Sequence, residues 1–161
     1  MKSTNLTSYR LILVIVATSF LVVLAACGDH KVPITQQPTR KIDERLIGNW
    51  VSPDGAQRIK VRPLNDSTYV ISYFGILFRA FHSDIAGLSF INAQDLETSE
   101  RNYFYVNYRL SDDGQKLYVR IVSNKVVPEA TKDSATVQKL LRDNLRNPLL
   151  FGNEDEFTKE H

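Results

Sequence analysis

The chain has 161 residues, 43% hydrophobic and 24% charged, with 20 basic against 18 acidic side chains and a single cysteine. This balance, with no block rich in Lys and Arg, excludes the clustered positive surface that nucleic acid requires. One cysteine cannot form an internal disulfide, and a chain of this length is one domain in prior expectation.

In chain order, Lys2 and Arg10 bracket a polar stretch, and Leu11 to Ala26 then runs without a charge. A membrane-spanning helix needs roughly 20 apolar residues. This run is shorter and ends in small residues, the shape of a secretory signal. Its last residues, Leu24-Ala25-Ala26-Cys27, resemble the lipobox of bacterial lipoproteins. The resemblance implies that segment 1–26 is a cleaved signal peptide. It also implies that the Cys27 thiol carries diacylglycerol and that the new amino group takes a further acyl chain such as palmitate. Two or three acyl chains would anchor the protein stably, because each buried methylene contributes about 0.8 kcal/mol and one chain alone is marginal. The membrane is thus the first expected partner. Gly28, where an aspartate would signal inner-membrane retention, implies an outer-membrane location facing the periplasm.

Loss of Lys2 and Arg10 with the signal leaves 18 basic and 18 acidic residues in a mature chain of 135. Segment 27–40 reads as the lipidated cysteine followed by a flexible tether, since "GDHKVPITQQPTR" holds two prolines and no periodicity. Segment 41–152 reads as a single β-rich domain. A short turn near 41–46 leads into strand-like runs separated by turn signals such as Pro53-Asp54-Gly55. In "YFYVNYRL", Phe104, Val106, Tyr108 and Leu110 share one face, and Leu117, Val119 and Ile121 answer them across a turn at 111–114. The spacing predicts a mainly β (α+β) fold: an antiparallel meander or small barrel of six or seven strands. One helix is predicted over 133–146, with Val137, Leu140, Leu141 and Leu145 on one face and Asp133 or Ser134 as N-cap. Its apolar stripe must cover a barrel end or a sheet face. Segment 153–161 reads as a charged tail.

Gly48-Asn49-Trp50 is similar to the Gly-x-Trp signature of lipocalin-type barrels. That likeness implies a Trp50 that plugs the closed end and, by analogy, carriage of a small hydrophobic ligand; a core Trp50 without a ligand fits the residues equally. The stretches "FRAFHSD" and "KDSATVQKLL" resemble segments of small bacterial envelope lipoproteins, which implies no activity. His82 and Asp84 fall on one strand face, where an imidazole and a carboxylate could do acid–base work or supply two metal ligands. The plainer expectation is a hydrogen-bonded His–Asp pair near a strand end. Ser83 points to the opposite face, and neither G-x-S-x-G nor H-E-x-x-H occurs. His30 and His161 fall in the tether and at the terminus. Tyr103, Tyr105 and Tyr118 could form an exposed stripe with Arg109 and Arg120 that meets a sugar or an envelope protein.

No catalytic residue, metal or cofactor is assigned. The first reading is a membrane-anchored, non-enzymatic binding or scaffold domain, with Trp50, His82, Asp84, Tyr103 and Tyr105 as candidate contacts. The second is a lipocalin-like carrier, and the third a hydrolase or metal enzyme using His82 and Asp84.

Overall fold

The computed structural model describes residues 30–160; the signal-like segment and Cys27 lie outside the described residues. Eight antiparallel strands close into a barrel in chain order: β1 (Gly48–Val51), β2 (Arg58–Asn65), β3 (Thr68–Tyr73), β4 (Ile76–Ile85), β5 (Leu88–Asp95), β6 (Tyr103–Leu110), β7 (Lys116–Val122) and β8 (Phe151–Glu160). A 3-10 turn, Glu44–Leu46, precedes β1, and one helix, α1 (Ser134–Asp143), lies between β7 and β8. The mainly β barrel with a single helix is the architecture that the alternation predicts.

Two cores hold it together, one on each side of the sheet. Inside, Trp50, Val61, Tyr69, Phe78, Ala80, Ile91, Ala93, Leu117 and Phe157 form a buried cluster joined by Leu46 of the 3-10 turn. They are every second residue of their strands, and the register pairs them directly, as in Tyr69 with Ala80, Ala80 with Ala93, and Leu117 with Phe157. Outside, Ile85, Phe90, Tyr105 and Val122 form a second apolar face, covered by Val137 and Leu141 of α1 and by Ile34. α1 therefore packs on the outer face of the sheet, one of the two positions its stripe allows. Asp133 caps it, its carboxylate accepting from the Thr136 N–H at 2.8 Å. It ends three residues short of the predicted 146, where the Asn144 N–H reaches the carbonyls of Leu140 and Leu141, both at 3.2 Å.

The tether reading is corrected over residues 30–40. Ile34 is fully buried, and the Ile34 N–H donates to Asn92 Oδ1 at 2.7 Å. The His30 and Tyr103 backbones exchange two hydrogen bonds, at 3.0 and 2.7 Å, and the Ser134 hydroxyl donates to the Pro33 carbonyl at 2.6 Å. The segment is a strap. It lacks periodicity because it obtains its partners one at a time, from backbone and side-chain groups of other elements.

The charged tail is corrected as well. Residues 151–160 form β8, which pairs with β7 along six positions and with β1 through Asn49–Glu160, Trp50–Lys159 and Val51–Thr158. Its two apolar anchors are Phe151, which packs on the outer core beside Phe90, and the inward Phe157, which is 1% exposed. Glu154 and Glu156 face outward and meet basic partners, Arg109 of β6 at 2.7 Å and Lys116 of β7 at 2.8 Å. Backbone pairing at the seam makes the strand, so one inward and one outward aromatic suffice as side-chain anchors.

Phe157→Ala is expected to cost about 3–5 kcal/mol, the usual loss for a buried aromatic, whereas Glu156→Gln should cost under about 1 kcal/mol as an exposed ion pair. Urea denaturation of both variants measures the contrast.

Candidate functional site

The end of the barrel that holds the β2–β3, β4–β5 and β6–β7 turns is capped by the chain running from Thr39 to Ile47. Backbone bonds fix its course, Thr39 N–H to the His82 carbonyl and Ile42 N–H to the Asp66 carbonyl, each at 3.0 Å. The 3-10 turn then sets Leu46 over Trp50, whose indole N–H donates to the Leu46 carbonyl at 2.9 Å. Gly48 carries φ +147°, and a Cβ there would stand 2.8 Å from Lys159 Cε, so the Gly-x-Trp spacing has a local steric reason. Trp50 is completely buried at this closed end.

Beneath the cap lies a set of polar side chains. His82 is 0% exposed, and its Nε2 lies 2.8 Å from the Tyr69 hydroxyl. That hydroxyl also accepts from the Asp43 N–H. Its own proton has two acceptors in reach, the Asp43 carbonyl at 3.4 Å and, in the Nδ1–H tautomer, His82 Nε2. Arg40 donates from Nε to Asp84 Oδ2 at 2.9 Å and from its terminal nitrogen to the Tyr108 hydroxyl at 2.5 Å. Thr39 completes the ring, its hydroxyl accepting from the Asp84 N–H at 2.9 Å.

His82 and Asp84 do share a face, as their spacing requires, but they do not form the hydrogen-bonded pair expected of them. Buried His82 Nδ1 and Asp84 Oδ1 both lack a hydrogen-bond partner among the described residues. The carboxylate turns to the Arg40 guanidinium instead, where a charge-assisted bond is stronger than one to a neutral imidazole. Burial, with the Arg40 charge second, pushes the His82 imidazole down to about 4, so it is neutral at pH 7. Ser83 faces outward, toward Thr35 and Asn92. A nucleophile, a base and an orienting carboxylate are thus not assembled here. Among the described residues, no group of three His, Cys, Asp or Glu side chains could hold a metal.

The tyrosine stripe is corrected too. Tyr105 is fully buried, stacked on His30 with ring centroids 4.0 Å apart and its hydroxyl bonded to the Val32 carbonyl. Tyr103 is half-buried at the strap. Tyr118 lies apart from them, with the Arg109 guanidinium 3.5 Å above its ring. Sequence reasoning missed Arg40, Asp43 and Tyr69 as members of the polar set. The available signal was the inward-facing Tyr69 and Tyr108, since a buried phenol needs a partner for its hydroxyl.

The other end, the rim, carries the β1–β2, β3–β4 and β5–β6 connections. Ile71, Tyr73 and Phe104 pack on the inner core there and are only partly buried, as Tyr108 and Leu110 are toward the capped end. Asp155, paired with Val119 and on the inward side, is exposed.

No protein-family model, curated protein or solved structure matches the chain.

His30 behaves like His82: burial pushes its imidazole down to about 4, with Glu129 and the Pro128 backbone only partly offsetting this. Two bases held below their ordinary 6.5 bind more protons unfolded than folded throughout that interval. Stability should therefore be constant above about pH 7 and decline as pH falls from the unfolded value toward the folded one, by roughly 3 kcal/mol per histidine. Denaturant midpoints across this range test it, and His82→Gln should remove part of the slope. A stability profile that is flat down to about pH 5 would contradict the burial of both rings.

Proposed function

We propose that this chain is a lipid-anchored lipoprotein of the bacterial envelope, facing the periplasm from the outer membrane, and that its barrel is a non-enzymatic binding domain. The observation that carries the binding reading is the commitment of the polar residues under the cap. Tyr69, Asp43 and Arg40 tie His82 and Asp84 to the strand-and-cap framework. These contacts hold the cap in place, and the Ser83 hydroxyl points to the other face of the strand. The hydrolase or metal-enzyme reading receives no support from this arrangement.

Support for the anchor comes from Leu24-Ala25-Ala26-Cys27 and from its position in the chain. Only Gly28 and Asp29 separate that cysteine from His30, the first residue held by the barrel. An acylated Cys27 would hold the domain directly against a bilayer.

A second reading, a carrier of a small hydrophobic ligand, is favoured by the inward apolar side chains that stay accessible near the rim, Ile71, Tyr73 and Phe104 among them. Apolar side chains left partly accessible at a barrel mouth are what such a ligand would pack against.

Labelling with radioactive palmitate should mark the wild-type protein and direct it to the membrane fraction, while Cys27→Ser should be unlabelled and released. An unlabelled wild type, or a variant that stays labelled, would end the anchored reading. Native mass spectrometry of the detergent-extracted protein should show the bare polypeptide mass plus the acyl modification under the first reading. A further non-covalent apolar mass would favour the carrier.

A further inference from the structure

Five large apolar side chains stand out in solvent among the described residues: Leu64, Phe74, Ile76, Leu77 and Leu149. Four of them belong to one end of the barrel. Phe74, Ile76 and Leu77 form the tip of the β3–β4 hairpin, and Leu149 lies in the connection leading into β8. Leu64 sits alone at the capped end, near the β2–β3 turn.

The tip is unfavourable by two separate criteria. Phe74, at 59% exposure, offers an aromatic ring to water. It also occupies the first central position of a two-residue turn, with φ +50° followed by Gly75 at +82°. That geometry favours Asn, Asp or Gly, and a bulky side chain there is an outlier. The Phe74 ring leans on Tyr73 with centroids 4.5 Å apart, yet most of it stays in water, and such departures from local preference concentrate where a surface has work to do. Ile76 and Leu77 follow directly, one on each face of the strand, so the hairpin tip is apolar on both sides. Beside it runs a shallow groove of about 240 Å³ lined by Arg58, Lys60, Ser72 and Phe74.

The N-terminal strap leaves the barrel at this same end, because His30 pairs with Tyr103 at the start of β6, next to the β5–β6 connection. Three Cα–Cα steps of 3.8 Å place Cys27 within roughly 11 Å of His30. We infer that the β3–β4 tip, with Phe74, Ile76 and Leu77, is a membrane-docking surface that inserts into the lipid interface and sets the barrel rim-down on the bilayer. The inference rests on the anchored-lipoprotein reading, which fixes the bilayer at this end. Phe and Leu side chains enter the boundary between headgroups and acyl chains, while Lys60 and Arg58 remain at headgroup level, where phosphates lie.

The test uses the full-length protein, extracted from membranes and reconstituted into vesicles of phosphatidylcholine and phosphatidylglycerol. The variants are Phe74→Trp, Leu77→Trp and, at the opposite end, Leu64→Trp. Trp50, fully buried under the cap, gives a constant background measured in the wild type. Lipids brominated high on their acyl chains should quench residue 74 or 77 at least about two-fold, since interfacial side chains sit roughly 5–10 Å into the boundary. Residue 64 should be unaffected. Equal quenching at both ends, or none at the tip, overturns the docked orientation. A blue-shifted tip without bromine quenching assigns it to a protein contact, a second copy of the chain included, and overturns the bilayer as its occupant. Mass analysis of the N-terminal peptide reports the anchor separately. Acylated protein with an unquenched tip overturns the docking surface alone, and protein without acyl groups overturns the anchor together with the geometric argument built on it.

Discussion

The pairing of β8 with both β7 and β1 joins the two ends of the sheet, and the rest of the molecule depends on that seam. Without it, β1 and β7 would be open edges, each presenting a row of unpaired backbone groups. Closure removes both edges and brings Lys159 to the capped end. There its ammonium donates to the Arg45 carbonyl at 2.9 Å and stands 5.2 Å from the Trp50 ring centroid. The last strand thus locks the 3-10 turn that precedes the first. Phe157 fills the interior next to Leu117 as part of the same event, so seam, core and cap form together.

A barrel of this size has a narrow interior, and the inner cluster alone buries only one face of each strand. The outer face of β4, β5 and β6 would be an apolar liability without α1 and the strap. Ile34, Val137 and Leu141 are completely buried there. Hydrogen bonds fix the strap on the same face: Asn92 receives the Ile34 N–H, and Gln138 donates to the Ile34 carbonyl at 2.9 Å. The strap then crosses the rim of β4 and becomes the cap. One continuous segment, residues 30–47, therefore links the outer core, the polar cluster and the inner core.

What was legible in the sequence follows period and turn chemistry. Six or seven strands announce themselves by alternation and turn signals, and α1 by its stripe and by a cap at Asp133 or Ser134. Trp50 was placed at the closed end by likeness, and Gly48 explains physically why the motif needs its glycine. β8 was illegible because barrel closure supplies its stabilisation through backbone bonds to β7 and to β1, the latter over 100 residues away, as with Asn49 and Glu160. The strap was illegible for a related reason: its contacts are individual and non-periodic, which in sequence looks the same as a linker. At the polar cluster, the shared face of His82 and Asp84 was readable from their spacing. The identity of their partners was not, because Arg40 and Asp43 reach them only once the cap has folded.

The two ends of the barrel divide structural from interactive surface. At the capped end, charge and hydroxyl groups are turned inward and matched to one another, an arrangement that rigidifies a closure. Loss of one member would leave another buried and unpaired, so this end resists variation for reasons of folding. The rim end shows the reverse: an aromatic occupies a backbone geometry that does not suit it, and apolar side chains of the hairpin tip stand in solvent. Folding alone selects against both features. Their coincidence at the end nearest Cys27 is what makes that end, rather than the His82 cluster, the place to look for what the protein touches.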